Sequence, residues 1–173
     1  IELPNWPNVE IVYCSKCTEL IELPNWPNVI RVECEECTKL KELPNWPNVE
    51  IVYCSLCSGL TELPNLSTVE IVYCNNCNLL IKLPNWPYVR HVQCSSCTGL
   101  TELPIWEEVL KVLCQRCINL RELPNWTTVL NVDCSGCTFL EQIPDWEYLH
   151  ITDCGCPGLK YPALIVLVET EFL

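Results

Sequence analysis

A valine returns every twenty residues. Val9, Val29, Val49, Val69, Val89, Val109 and Val129 each open the same phrase, of which "VEIVYCSKCTELIELPNWPN" is one complete copy. A strict internal period outweighs any reading from length, because each copy must become one supersecondary unit stacked on its neighbours. The column three residues on is Val12, Val32, Val52, Val72, Val92, Val112 and Val132, followed by Thr152. Leu149 holds the opening column in the eighth copy.

Within the copy, V-x-x-V-x-C alternates inward and outward over its last residues and carries β-branched side chains, which suits a short strand. The return to the next strand contains a fixed proline and often a second, as in Pro24 and Pro27, so it cannot be a regular α-helix. A short strand plus an extended, polyproline-like return makes one coil of a solenoid. The strands then stack at roughly 4.8 Å into a parallel sheet on the concave face, with the returns on the convex face and little or no α-helix. Residues 1–160 are read as about eight such coils, the first partial, and 161–173 as a capping strand or docking tail. The opening "IELPNWPN" is the back half of a copy, so the chain is read as a segment of something longer, and its ends invite self-association.

Cysteine fills two columns. The first is Cys14, Cys34, Cys54, Cys74, Cys94, Cys114, Cys134 and Cys154; the second is Cys17, Cys37, Cys57, Cys77, Cys97, Cys117 and Cys137, with Cys156 closing a shortened Cys-Gly-Cys. Leu20 and its equivalents follow, then a Leu-Pro pair such as Leu23-Pro24. Trp6, Trp26, Trp46, Trp86, Trp106, Trp126 and Trp146 recur in the return, with Leu66 the exception, and are expected to form a buried aromatic ladder.

V-x-x-V-x-C-x-x-C resembles the leucine-rich repeat pattern L-x-x-L-x-L-x-x-N/C, and "ELPNWPN" resembles the return of short, twenty-residue bacterial-type repeats in secreted effector proteins. Cysteine-rich short repeats of this kind are also similar to those of giant viruses and amoeba-associated bacteria. The resemblance covers nearly the whole chain. It implies a non-enzymatic scaffold for protein–protein interaction or structural assembly. It also implies that Cys17 and its equivalents stand where the family places an inward asparagine that bonds the backbone of neighbouring coils.

For the inward cysteines three states are open. They are small buried thiols acting as core and ladder residues, with no cofactor. Alternatively C-x2-C-x16-C-x2-C holds zinc, four thiolates from adjacent coils forming a tetrahedral site such as Cys14/Cys17/Cys34/Cys37. That spacing follows from any CxxC in a twenty-residue coil, which weakens the signal. As a third state they form disulfides, for which Cys14 to Cys17 within a coil is better placed than neighbours down one column. Buried, unpaired thiols fit an intracellular or virion setting better than a secreted one.

The outward columns vary. One reads Ile11, Arg31, Ile51, Ile71, His91, Lys111, Asn131 and Ile151; its neighbour reads Tyr13, Glu33, Tyr53, Tyr73, Gln93, Leu113, Asp133 and Asp153. Ile51, Tyr53, Ile71 and Tyr73, with Ile11 and Tyr13 beyond them, are the candidate partner-binding residues, because exposed aliphatic and aromatic groups together mark contact surfaces. Catalysis has little support. His91 and His150 are far apart, no glycine-rich phosphate loop appears, and Glu22, Glu42, Glu62, Glu102 and Glu122 recur by register as a solvated stripe. A catalytic domain outside this stretch, in a larger secreted effector enzyme, is the remaining enzymatic reading. The net charge of −12 disfavours nucleic acid and anionic membrane surfaces, and no apolar run is long enough to span a bilayer.

Overall fold

The computed structural model describes residues 3–146, 150, 151 and 156. Eight parallel strands stack in chain order into one sheet: β1 (Ile11–Tyr13), β2 (Arg31–Glu33), β3 (Ile51–Tyr53), β4 (Ile71–Tyr73), β5 (His91–Gln93), β6 (Lys111–Leu113), β7 (Asn131–Asp133) and β8 (His150–Ile151). From β1 to β7 every residue pairs with the one twenty positions on, Val12 with Val32 and Tyr13 with Glu33. The chain is therefore a β-solenoid of twenty-residue coils. No helix occurs among the described residues, as the prolines of the return require.

Each of the first seven strands is only three residues long and buries its central valine, while the two flanking residues face outward. Ladder bonding runs past the strand. The amide of Cys34 donates to the carbonyl oxygen of Tyr53 at 2.8 Å, and that of Glu36 to Ser55 at 2.9 Å. The chain then turns sharply. Lys16, Glu36, Leu56, Asn76, Ser96, Arg116 and Gly136 all take positive φ, between 57° and 75°. For a non-glycine residue this conformation costs about 1–2 kcal/mol. The inter-coil bond made by each amide from Lys16 to Arg116 offsets that cost, and the turn directs the second cysteine inward.

The interior is one continuous stack. Val32, Cys34, Cys37, Leu40, Trp46 and Val49 are all fully buried, and their equivalents repeat the arrangement in the coils that follow. The tryptophans form two parallel-stacked runs, Trp6–Trp26–Trp46 and Trp86–Trp106–Trp126–Trp146, with ring centroids 5.8 to 6.3 Å apart. Leu66 interrupts them. Each indole from Trp26 to Trp126 donates through Nε1 to a proline carbonyl of the preceding coil, Trp46 to Pro24 at 3.0 Å and Trp126 to Pro104 at 2.9 Å. The ladder thus combines apolar burial with a satisfied polar edge. On the outer edge of the return, Asn28 and Asn48 bridge to Pro7 and Pro27 in the same way, both at 2.8 Å.

The last coil departs from the expected register. β8 pairs Asn131 with His150 and Val132 with Ile151, an offset of nineteen rather than twenty. Trp146 still stacks on Trp126, at the twenty-residue spacing. Ile151 consequently pairs with Val132, where a twenty-residue count puts Thr152, and His150 pairs with Asn131, where it puts Ile151. Cys154 and the C-terminal strand expected at 161–173 lie outside the described residues.

Candidate functional site

Two features carry chemistry: the strand face and the cysteine columns. On the strand face the side chains of Ile51, Tyr53, Ile71 and Tyr73 are half-buried and directly adjacent, because β3 and β4 pair Ile51 with Ile71 and Tyr53 with Tyr73. The two tyrosine rings meet edge to face at 4.8 Å between centroids, the arrangement favoured by aromatic quadrupoles.

Ile11 and Tyr13 do not join this cluster. Arg31 and Glu33 of β2 stand between them and β3. These two residues are ion-paired, Nη2 to Oε1 at 2.5 Å, and the Arg31 guanidinium lies 4.9 Å from the Tyr53 ring centroid. Arg31 therefore forms the wall of the patch on that side through a cation–π contact. Ile11 and Tyr13 are instead strongly exposed at the edge of the sheet, Tyr13 at 69%. On the other side the face turns polar. Asn75 accepts the Ser95 amide at 2.8 Å, Ser95 hydroxyl bonds Gln115, and Gln115 donates to Asp133 at 2.8 Å. The apolar surface is a compact unit on β3 and β4 with a cationic and a polar border. At its end the buried hydroxyl of Ser55 has no hydrogen-bond partner.

The cysteine columns form a second ladder. Every second-column thiol from Cys37 onward donates to the main-chain carbonyl of the first cysteine in the preceding coil. The pairs are Cys37 to Cys14, Cys57 to Cys34, Cys77 to Cys54, Cys97 to Cys74, Cys117 to Cys94 and Cys137 to Cys114, at 2.9 to 3.2 Å. Cys156 continues the ladder by donating to Cys134 at 3.3 Å. It follows Cys137 by nineteen residues, the same offset as β8, so Cys156 continues the second column.

The cysteines from Cys14 to Cys117, and Cys137, are free thiols, Cys14 and Cys17 included. Among the described residues no group of three or more His, Cys, Asp or Glu side chains is placed to hold a metal ion. Each second-column Sγ from Cys37 to Cys137 is turned to a main-chain carbonyl oxygen of the preceding coil.

Burial, with the charge of Cys37 second, pushes the Cys14 thiol up to about 12. Burial above all raises Cys37 to about 11. In the coils beyond, Cys34, Cys54, Cys74, Cys94 and Cys114 are raised well above the ordinary thiol range by the hydrogen bond to the diagonal second-column sulfur and then by burial. Cys57 and Cys137 are shifted down, chiefly because the Cys34 and Cys114 thiols donate to them. The interior thus keeps the first-column thiols from Cys14 to Cys114 protonated at neutral pH.

Sequence reasoning missed the left-handed turn between the cysteines. Only Gly136, and more weakly Asn76, signals it. Among the described residues no helix is long and apolar enough to cross a membrane. No protein-family model matches the chain, and no curated protein matches it.

Proposed function

We propose that the chain is a non-enzymatic scaffold of the leucine-rich-repeat kind that binds a protein through Ile51, Tyr53, Ile71 and Tyr73. The observation that carries the reading is the Tyr53–Tyr73 pair. Two rigid aromatic groups meet at 4.8 Å on an outward face whose other positions are mostly charged or polar. Tyrosine contributes large contact area at small entropic cost and keeps a hydroxyl for a hydrogen bond at the rim. Arg31 beside Tyr53 adds a donor for an acidic or carbonyl group on the partner.

The interior supports a scaffold role. Its polar side chains link one coil to the next, and the thiol and indole ladders hold the strand face rigid. A rigid face lowers the ordering cost of association. The test compares three forms as bait in cell extract with quantitative mass spectrometry: the parent, Tyr53→Ser with Tyr73→Ser, and Leu79→Ser with Ile81→Ser. Leu79 and Ile81 are exposed apolar residues in the return, outside the patch. A protein retained by the parent and the control, but reduced about tenfold or more by the tyrosine variant, supports the reading. The same set of proteins on all three baits overturns it.

A further inference from the structure

In a chain of net charge −12, positive side chains gather at one place on the strand face. Around β1 to β4 the non-buried residues of that face include Glu10, Glu33, Glu35, Glu36, Glu50 and Glu70. Lys16 and Arg31, the cations of that stretch, are both ion-paired, to Glu36 at 3.8 Å and to Glu33 at 2.5 Å. At β5 the sign reverses. Arg90, Lys111 and Arg116 follow within two coils, and His91 pairs with Lys111 across the sheet.

Lys111 and Arg116 are the unpaired members. Lys111 lies between His91 and Asn131, so no carboxylate adjoins it along its row. Arg116 holds the left-handed turn position, where the neighbouring coils have Ser96 and Gly136. Among the described residues neither makes an ion pair, whereas Arg90 is held by Glu108 at 3.8 Å. Asp133 on β7 is engaged by Gln115 at 2.8 Å and by the Ser135 amide at 3.0 Å. By register the tyrosine row runs Tyr53, Tyr73, Gln93, Leu113, and in β6 Lys111 precedes Leu113 while Arg116 follows it.

We infer that the partner of the tyrosine patch is an acidic protein segment lying across the strands along this row, with an apolar side chain on Tyr53 and Tyr73 and carboxylates on Lys111 and Arg116. The inference rests on the patch reading above and adds to it the charge and the direction of the partner.

The spacing fits an extended chain. Strands stack at about 4.8 Å, so the centre of the tyrosine pair and β6 lie about 12 Å apart. An extended segment advances about 3.3 Å per residue, and alternate side chains share a face. An apolar group and a carboxylate four positions apart therefore stand about 13 Å apart on one face, enough to reach both sites. The glutamates around β1 to β4 repel the same carboxylates, so charge sets the register of the partner as well as its affinity. The Arg116 guanidinium offers paired donors to a carboxylate, and the Lys111 ammonium a compact charge.

The probes are fluorescein-labelled serine–glycine peptides carrying one tryptophan and, starting four positions from it, two glutamates, made in both chain orders. One control replaces the glutamates by lysines, and another replaces the tryptophan by serine. Fluorescence anisotropy with the intact chain reads the binding. The result expected is that a tryptophan–glutamate peptide binds at least about tenfold more tightly than either control, and several-fold more weakly when salt rises from about 50 to about 300 mM. Lys111→Glu with Arg116→Glu should reverse the preference, so that the lysine peptide binds better. Glu36 already takes the turn conformation of Arg116, so that position accepts glutamate.

Equal binding of the glutamate and lysine peptides overturns the inference, as does equal binding without the tryptophan, or no binding by any peptide. Salt-sensitive dimerisation that excludes the peptides would put a second copy on this face and also overturns it. Binding undiminished by Tyr53→Ser with Tyr73→Ser overturns the patch reading as well. Loss of binding in that variant, together with indifference to peptide charge, overturns the acidic partner alone. Should the charge variant not fold, the peptide preference and salt dependence of the parent chain decide.

Discussion

The Sγ of Cys57 lies 3.0 Å from the carbonyl oxygen of Cys34, and the same bond recurs at nearly every coil boundary. A side chain from one coil thereby satisfies a buried main-chain acceptor in the coil before it. A buried carbonyl without a partner costs about 1–3 kcal/mol, so the thiol has an energetic role beyond filling space.

Cys97 separates these two contributions. Its thiol is fully buried and donates to Cys74 at 2.9 Å. Cys97→Ala removes the donor and leaves a small cavity, and it should cost roughly 2–3 kcal/mol. Cys97→Ser keeps a donor of similar size and should cost clearly less. Urea midpoints of the two variants against the parent give the comparison. Equal losses for both would show that the sulfur acts through packing alone.

Much of this architecture was legible in the sequence, and the reasons are specific. The strands follow from Val12, Val32 and their equivalents, since a central valine between outward residues admits one register only. The absence of helix in the return follows from Pro24 and its equivalents. The turn at Lys16, Glu36 and Leu56 was not legible. Three unlike residues share one left-handed conformation because inter-coil bonds impose it, such as Lys16 amide to Glu35 carbonyl at 2.7 Å. Propensity carries no trace of such a bond. The eighth register was hidden for a different reason: Cys154 falls twenty residues after Cys134, so the count matches although the pairing has slipped by one. Within the candidate site, the columns placed Tyr53 beside Tyr73. They did not show that Arg31 would lie over Tyr53 and cut off Tyr13, because that depends on where a long side chain lies.

Leu66 offers a gain. It is 1% exposed between Trp46 and Trp86, where the two stacked runs break. The stacking distance on either side is close to 6 Å, and the register would place a new indole N–H near the Pro44 carbonyl, as Trp46 meets Pro24. Leu66→Trp should therefore stabilise the solenoid by about 1 kcal/mol through added burial and two ring contacts. Thermal unfolding measures it, and a continuous tryptophan run should strengthen the near-ultraviolet circular dichroism. A lower midpoint would mean that the coil around Leu66 has closed in on the smaller side chain.

Alkaline pH should unfold the chain. The first-column thiols from Cys14 to Cys114 have folded-state pKa values raised above those of the unfolded chain, Cys14 to about 12. The folded state holds these protons where the unfolded state releases them. Stability is thus fully present below the unfolded thiol pKa, near about 8.5, and is lost as pH rises toward the folded values. Each such cysteine contributes a slope of up to about 1.4 kcal/mol per pH unit in that window. Cys34, Cys54, Cys74, Cys94 and Cys114 are raised in the same direction, so their slopes act together. Cys57 and Cys137, shifted down, oppose them only in part. Urea midpoints between about pH 7 and about pH 10.5, under a reductant to keep the thiols reduced, should be level at first and then fall steeply above about pH 8.5. A midpoint that stays level to about pH 10.5 would mean that these thiols ionise in the folded chain as readily as in the unfolded one.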